Sequence, residues 1–222
     1  MSEDSLVTPQ RYRVRIFVDF WNFTLLMRDI EQDFSTDWKK LGPVLTRVAT
    51  ETVSDEAIGE YQGLNFYGSY DPASENDKKL YQWVTTVVST FPGVNVSIVE
   101  RQKRRSLPKC PICYNEIAKC PSCNADMRGT EEKGIDVRMA TAMISLAWED
   151  NYDIAVLISS DRDFVPVAEF LETKGIKVAH GAFPRKSAQL TQKCWASINL
   201  AHIREEFRYC PNHGSSHSTT DR

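Results

Sequence analysis

The chain has 222 residues, of which 41% are hydrophobic and 26% charged, and this composition of a globular protein with its own core excludes disorder as the main state. No apolar run approaches the roughly 18 residues of a membrane-spanning helix, and the first residues lack the basic and apolar segments of a signal peptide, which predicts a cytoplasmic protein. The formal net charge is −3, so binding of nucleic acid would require a local basic patch.

Apolar runs and helical periodicities alternate along the chain after a flexible polar arm at 1–11. Buried strands are predicted at 14–19, 64–69, 94–99, 154–158, 176–179 and 197–200, and helices at 38–53, 76–91, 135–148, 165–173 and 186–195. This alternation favours a mostly parallel sheet with helices on both faces, a three-layer α/β/α sandwich. We predict one domain over 12–203, with a Cys-rich insertion at 101–130 and a C-terminal tail at 204–222.

Four aspartates follow or feed the predicted strands at the end where a parallel sheet binds ligands. Asp19 ends the first strand, and Asp161 and Asp163 follow the strand at 154–158. Asp136 lies at the start of the helix that leads into that strand. Because ligands of open α/β sheets bind outside the carboxyl ends of the strands, we expect these side chains to share one crevice.

Carboxylates gathered in one crevice repel each other strongly. Two charges about 4 Å apart interact by roughly 4 kcal/mol at an effective dielectric constant near 20, so the cluster requires protonation or a bound cation. Oxygen ligands without Cys or His favour Mg²⁺ or Mn²⁺, and such sites hydrolyse phosphodiester bonds. The alternative for Asp136, Asp161 and Asp163 taken singly is a helix N-cap, since each precedes a predicted helix.

The order of four short segments resembles the NYN domains, a family of PIN-like metal-dependent ribonucleases, and in particular its LabA-like branch. The segments are VDFWN at 18–22, KGIDV at 133–137, SDRDFVP at 160–166 and KGIKV at 174–178. The resemblance implies a PIN-like fold, an RNA substrate that is single-stranded or structured, and catalytic Mg²⁺ or Mn²⁺. It also implies metal ligands, with a polar residue that assists the first of them: Asp19, Asp136, Asp161 and Asp163, assisted by Asn22.

One position departs from the family pattern. NYN domains commonly carry a further Asp six residues after the acid of the KG-x-D segment, and this chain has Ala142 there. The departure leaves open a second reading, a catalytically weak PIN-like module that binds RNA or protein. A phosphatase of the HAD type is disfavoured, because its strand-end D-x-D motif would need an acid where Trp21 stands.

Four cysteines in the insertion have the spacing of a structural zinc site. Cys110, Cys113, Cys120 and Cys123 form C-x2-C-x6-C-x2-C, and two such pairs give tetrahedral sulfur coordination. Two disulfides are disfavoured in a reducing compartment, and a redox-active C-x-x-C motif would not need a second C-x-x-C pair beside it. With no apolar core visible in this segment, zinc would supply its folding energy.

A basic run stands just before the zinc-type motif. Arg101, Lys103, Arg104 and Arg105 form the local patch that could bind RNA phosphates, although a run of charges is as often a solvated loop. The insertion ends directly before Asp136, so we expect it beside the crevice, where it would hold RNA or a protein partner.

Overall fold

The structure is a computed structural model, and it describes residues 9–183, 186 and 188–211. Its strands, in chain order, are β1 (Arg11–Asp19), β2 (Ile58–Tyr70), β3 (Val94–Glu100), β4 (Gln102–Lys103), β5 (Thr130–Glu131), β6 (Ile154–Ile158), β7 (Lys177–Ala182) and β8 (Ala196–Asn199). Six of them form one sheet in the order β3-β2-β1-β6-β7-β8, and every neighbouring pair in it is parallel. The short strands β4 and β5 pair antiparallel outside this sheet.

Helices fill most of the connections between these strands. They are α1 (Phe20–Ile30), α2 (Trp38–Glu51), α3 (Glu75–Thr86), α4 (Ile135–Trp148), α5 (Val165–Thr173), α6 (Ala188–Thr191) and α7 (Leu200–Ile203), with short 3-10 helices at Val88–Thr90, Arg162–Phe164 and Arg204–Phe207. No helix in the described ranges is long and apolar enough to cross a bilayer.

The sheet separates two hydrophobic cores because alternate side chains of a strand point to opposite faces. In β1, Ile16 and Val18 join one core with α1, α2 and α3, whereas Phe17 joins the other. The second core packs against α4 and α5, through side chains such as Met139 and Leu171. The predicted three-layer α/β/α sandwich is therefore confirmed, and its main sheet is fully parallel.

Three local expectations differ from the structure. Helix α1 had not been predicted: it follows β1 without a break and buries Phe20, Phe23 and Met27. Of the helix expected at 186–195, the described residues form only the four-residue α6. Residues 204–207 of the expected tail pack on the domain, because Phe207 is fully buried and lies edge-on against Phe34, and residues 212–222 of that tail lie outside the described residues.

The strand order changes direction between β1 and β6. From β1 the chain builds the sheet outward through β2 and β3, and from β6 it builds the other half through β7 and β8. The connections after β1 and β6 therefore leave in opposite directions and open a crevice between their carboxyl ends, which is where α/β sheets bind ligands.

Candidate active site

Asp19 occupies the carboxyl end of the central strand and begins the helix that follows it. Its Oδ1 accepts a hydrogen bond of 3.1 Å from the backbone N–H of Asn22, which makes Asp19 the N-cap of α1. Its Oδ2 lies 3.4 Å from the hydroxyl of Ser159, at the end of the neighbouring strand β6. The Asp19 carboxylate thus lies at the carboxyl ends of β1 and β6, between which the strand order changes direction.

Asp161 and Asp163 follow β6 in a single tight turn. Asp161 caps the 3-10 helix at Arg162–Phe164, because its Oδ1 accepts from the backbone N–H of Asp163 at 2.9 Å. Its own backbone N–H donates to the Ser159 hydroxyl at 3.2 Å. Asp161 and Asp19 are thus N-caps, whereas Asp136 and Asp163 are not: α4 begins after Gly134, and Asp163 lies inside the 3-10 turn.

Electrostatic effects connect these carboxylates. Burial raises the pKa of Asp19 to about 6, and the charges of Glu132 and Asp136 add to the rise, against hydrogen bonds from Asn22 and Ser159. The pKa of Asp136 is also raised, first by burial and then by the charges of Asp161, Glu132 and Asp163. The charge of Asp136 thus acts on Asp19, and those of Asp161, Asp163 and Glu132 act on Asp136, so these carboxylates share one electrostatic environment.

Glu132 is a fifth carboxylate at this place, and the sequence reasoning did not include it. Its Oε2 accepts a hydrogen bond from the hydroxyl of Ser69, at the carboxyl end of β2. The sequence does contain a sign of its proximity to the site, since Glu132 stands four residues before Asp136.

Two neutral side chains fix the loop after β6. The Asn22 side-chain Oδ1 accepts from the backbone N–H of Ser160 at 2.9 Å, which ties the start of α1 to that loop. His180 is fully buried, its Nε2 lies 2.8 Å from the Ser159 carbonyl, and its Nδ1 lies 2.8 Å from the Thr191 hydroxyl. A carbonyl only accepts, so Nε2 carries the proton, and burial lowers the pKa of His180 and favours the neutral ring.

The donor set fits a hard divalent cation in its chemistry. All five side chains offer carboxylate oxygens, and the mutual repulsion that, after burial, raises the pKa of Asp136 is of the kind that a cation would relieve. Among the residues that the structure describes, no three His, Cys, Asp or Glu side chains stand close enough together to hold a metal ion. The metal ligands named from the sequence therefore stay predictions.

Two clefts of different character lie on the surface. One of about 360 Å³ opens beside Asp161 and is lined also by Ser160, Arg162 and residues 188–190. A larger one, about 940 Å³, is lined by α2, α3 and residues 209–211 and shares no lining residue with the carboxylate site. Size alone would favour the larger cleft, but none of the five carboxylates lines it, whereas Asp161 lines the smaller one.

The four basic residues of the predicted patch divide into two kinds. Arg101 is partly buried: its Nε donates to the Ser69 hydroxyl at 2.8 Å, and its guanidinium lies 5.0 Å from the centre of the Trp21 ring. Lys103, Arg104 and Arg105 are exposed. Of the four residues, only these three have solvent-exposed side chains, and the Lys103 amino group lies 4.0 Å from an Asp126 carboxylate oxygen.

The insertion consists of two turns of the same design. In the first, the backbone N–H of Cys110 donates to the Asn115 carbonyl and that of Tyr114 donates to the Cys110 carbonyl, both at 2.9 Å. In the second, Cys120 and Asn124 repeat the pattern. Tyr114 and Asn124 both have a φ of 58°, the left-handed conformation that closes such turns.

Each turn stabilises the thiolate of its first cysteine. Backbone N–H groups of Cys113 and Ile112 lower the pKa of the Cys110 thiol, and those of Cys123 and Ser122 do the same for Cys120. A thiolate is the form that binds zinc, so each pair fits the ion. The four sulfurs are not gathered into one group in the described residues, so the zinc site stays a prediction.

The surface of the first turn is apolar at two positions. Ile112 is 86% exposed and Tyr114 is 72% exposed. The protein partner expected at the insertion would contact such side chains, and it also stays a prediction.

Comparisons with known proteins identify the family. The chain matches the NYN domain family over residues 13–200, which include all five carboxylates, and it therefore belongs to this family of PIN-like nucleases. Among solved structures, a protein of unknown function from Vibrio parahaemolyticus has the same fold, with a TM-score of 0.52 and 15% sequence identity over 91% of this chain and 99% of that one. No match was found among curated proteins.

The buried Asp19 carboxylate predicts a specific pH dependence of stability. Because its pKa rises from about 3.8 to about 6 on folding, the native state holds more protons than the unfolded state across this window, and metal-free stability falls as the pH rises through it. Asp19→Asn keeps an oxygen for the α1 cap and removes the charge. At pH 7 the metal-free variant should gain about 2–3 kcal/mol in free energy of unfolding.

Urea unfolding of both proteins between pH 4 and 8 measures this difference. The gain should be near zero at pH 4, grow through the window and level off above about pH 6. Asp37→Asn, at the N-cap of α2, controls for the loss of a capping carboxylate elsewhere. A gain that is the same at every pH would contradict the buried charge at Asp19.

For the cysteine turns we expect about one tightly bound Zn²⁺ per chain. Cys110→Ser should remove most of it while the thermal transition of the sheet persists, because neither hydrophobic core includes a residue of the two turns. Elemental analysis measures the zinc, and Cys210→Ser, an exposed cysteine outside the insertion, is the control. Zinc-free protein with these thiols paired as disulfides would contradict the prediction.

Proposed function

From its membership of the NYN family and the geometry of its carboxylates, we propose that the protein is a metal-dependent ribonuclease. The proposed metal ligands are Asp19, Asp136, Asp161 and Asp163, which would hold catalytic Mg²⁺ or Mn²⁺. The observation that supports this most directly is the Ser159 hydroxyl, which lies 3.4 Å from the Asp19 carboxylate and accepts from the Asp161 backbone N–H, so that acids from the ends of β1 and β6 come together.

A bound divalent cation would supply Lewis-acid stabilisation of the phosphate and a more acidic attacking water. The chain's own part is to keep the carboxylates in place before substrate arrives. Ser159 joins Asp19 to the Asp161 backbone, and His180 holds the Ser159 carbonyl. Asn22 fixes Ser160, so we propose it as a positioning residue that assists the ligands.

The RNA backbone would approach from the side of the insertion. The strands β4 and β5 bring the exposed Lys103, Arg104 and Arg105 next to Glu131, whose pKa is lowered mainly by Lys133 and further by Arg104 and Arg105. These three cations would offset the repulsion between phosphates and the acidic crevice. The cleft beside Asp161, with Arg162 on its wall, offers room for the nucleotide next to the scissile bond.

The decisive variant is Asp161→Asn. It keeps the N-cap, since Asn caps about as well as Asp, and it removes one negative charge from the proposed metal site. A loss of about 3 kcal/mol of transition-state stabilisation corresponds to roughly hundredfold slower cleavage. Metal-free stability should hold or rise, whereas the stabilisation by Mn²⁺ should shrink.

Cleavage of labelled single-stranded and structured RNA in Mn²⁺, Mg²⁺ or EDTA measures this, with a DNA of the same sequence as the test of substrate class. Asp37→Asn again serves as the matched Asp-to-Asn control. Full activity in Asp161→Asn, or wild-type cleavage that EDTA does not abolish, would contradict the mechanism.

The exposed cations predict a salt effect. Replacing Lys103, Arg104 and Arg105 together with Ala should weaken RNA binding and reduce the slope of log affinity against log salt by about 2, since each phosphate contact on a single strand contributes roughly 0.7. Binding is measured in EDTA so that cleavage does not interfere. An unchanged slope would favour the solvated-loop alternative for these residues.

A second candidate is a PIN-like module that binds RNA without cleaving it, and Ala142 is the observation that favours it. Ala142 has a methyl group where the family pattern has a carboxylate, and it packs against the second core, roughly 9 Å along the helix axis from Asp136. RNA binding without cleavage under any metal would support this candidate, and Ala142→Asp would then be the first change to test.

A further inference from the structure

Glu132, two residues after the insertion, has a supporting network that reaches a buried residue of the main sheet. The hydroxyl that it binds belongs to Ser69, which is completely buried at the end of β2. That hydroxyl donates its proton to Glu132 and accepts a hydrogen bond from the Arg101 Nε at 2.8 Å. A buried serine therefore links the carboxylate to a guanidinium.

The same serine is fixed from its other side. Its carbonyl accepts a hydrogen bond of 2.7 Å from the Trp21 indole N–H, and the Arg101 guanidinium lies over the Trp21 ring. Trp21 stands two residues after Asp19, and Arg101 directly follows β3. Residues at or just after the ends of three strands, β1, β2 and β3, thus hold the Glu132 carboxylate in place.

We propose that Glu132 supplies the carboxylate that Ala142 lacks, and that Ser69, Arg101 and Trp21 hold it at the metal site. This inference rests on the proposed function. Within it, Arg101 is a positioning residue, because its Nε donates to the Ser69 hydroxyl and its planar group lies over the Trp21 ring. The charge of Glu132 contributes to the raised pKa values of Asp19 and Asp136, which agrees with a position of Glu132 at the metal site.

Glu131→Gln is the matched control for Glu132→Gln. Glu131 is the adjacent residue, and its carboxylate pairs with Lys133 at 2.7 Å, outside the network. Both substitutions remove one negative charge from the same segment. They differ in the partner of the carboxylate, which is Ser69 for Glu132 and Lys133 for Glu131.

The first measurement is the affinity of the full chain for Mn²⁺, by isothermal titration calorimetry without RNA. Glu132→Gln should raise the dissociation constant at least about tenfold, Ser69→Ala should raise it roughly tenfold through lost positioning, and Glu131→Gln should leave it near the wild-type value. Equal affinities in Glu132→Gln and Glu131→Gln would overturn this inference alone. A wild-type chain that binds no Mn²⁺ would overturn the metal site and the inference together.

The second measurement separates positioning from phosphate binding at Arg101. Arg101→Gln should weaken Mn²⁺ binding roughly tenfold and leave the salt dependence of RNA binding in EDTA unchanged. A flatter salt dependence with unchanged Mn²⁺ affinity would overturn the role given to Arg101 and return it to the phosphate-binding patch.

Discussion

The change of strand order between β1 and β6 is the constraint on which the rest of the site depends. Crossover connections of parallel strands are right-handed, so two half-sheets wound outward from a common centre leave their helices on opposite faces. The carboxyl ends of the two central strands are then left uncovered between them. Asp19 ends one of these strands and Asp161 follows the other. Their proximity follows from the topology before any side-chain contact is considered.

Placing charges at such a point lowers the stability of the metal-free fold. The Asp19 carboxylate is mostly withdrawn from water and lies near other carboxylates, which is why its pKa rises to about 6. Hydrogen bonds from the Asn22 backbone and the Ser159 hydroxyl offset part of this effect. The metal-free site therefore contains repulsion that a cation would relieve, and strongly perturbed pKa values of this kind are typical of functional sites.

The sequence predicted the sheet well because buried parallel strands appear as apolar runs. Ile154–Ile158 is five buried residues in a row, with Asp161 three residues beyond its end, and Asp19 is the last residue of β1. Helix α1 was missed because no turn residue separates it from β1, and Phe207 because a single aromatic in a charged segment gives no periodicity. Glu132 was missed because its partner Ser69 lies 63 residues away in sequence, a contact that no local pattern reports.

The pairing of β1 with β6 also determines when the site can form during synthesis of the chain. Asp19 and Ser159, which meet at the site, are separated by 140 residues. At a translation rate of about 5–20 residues per second, the first of them waits roughly 7–28 seconds for the second. In that interval β1 can pair with β2 but its other edge stays open, and an unpaired strand edge is a place where chains associate wrongly. The acidic crevice is accordingly among the last parts of the molecule to come into existence.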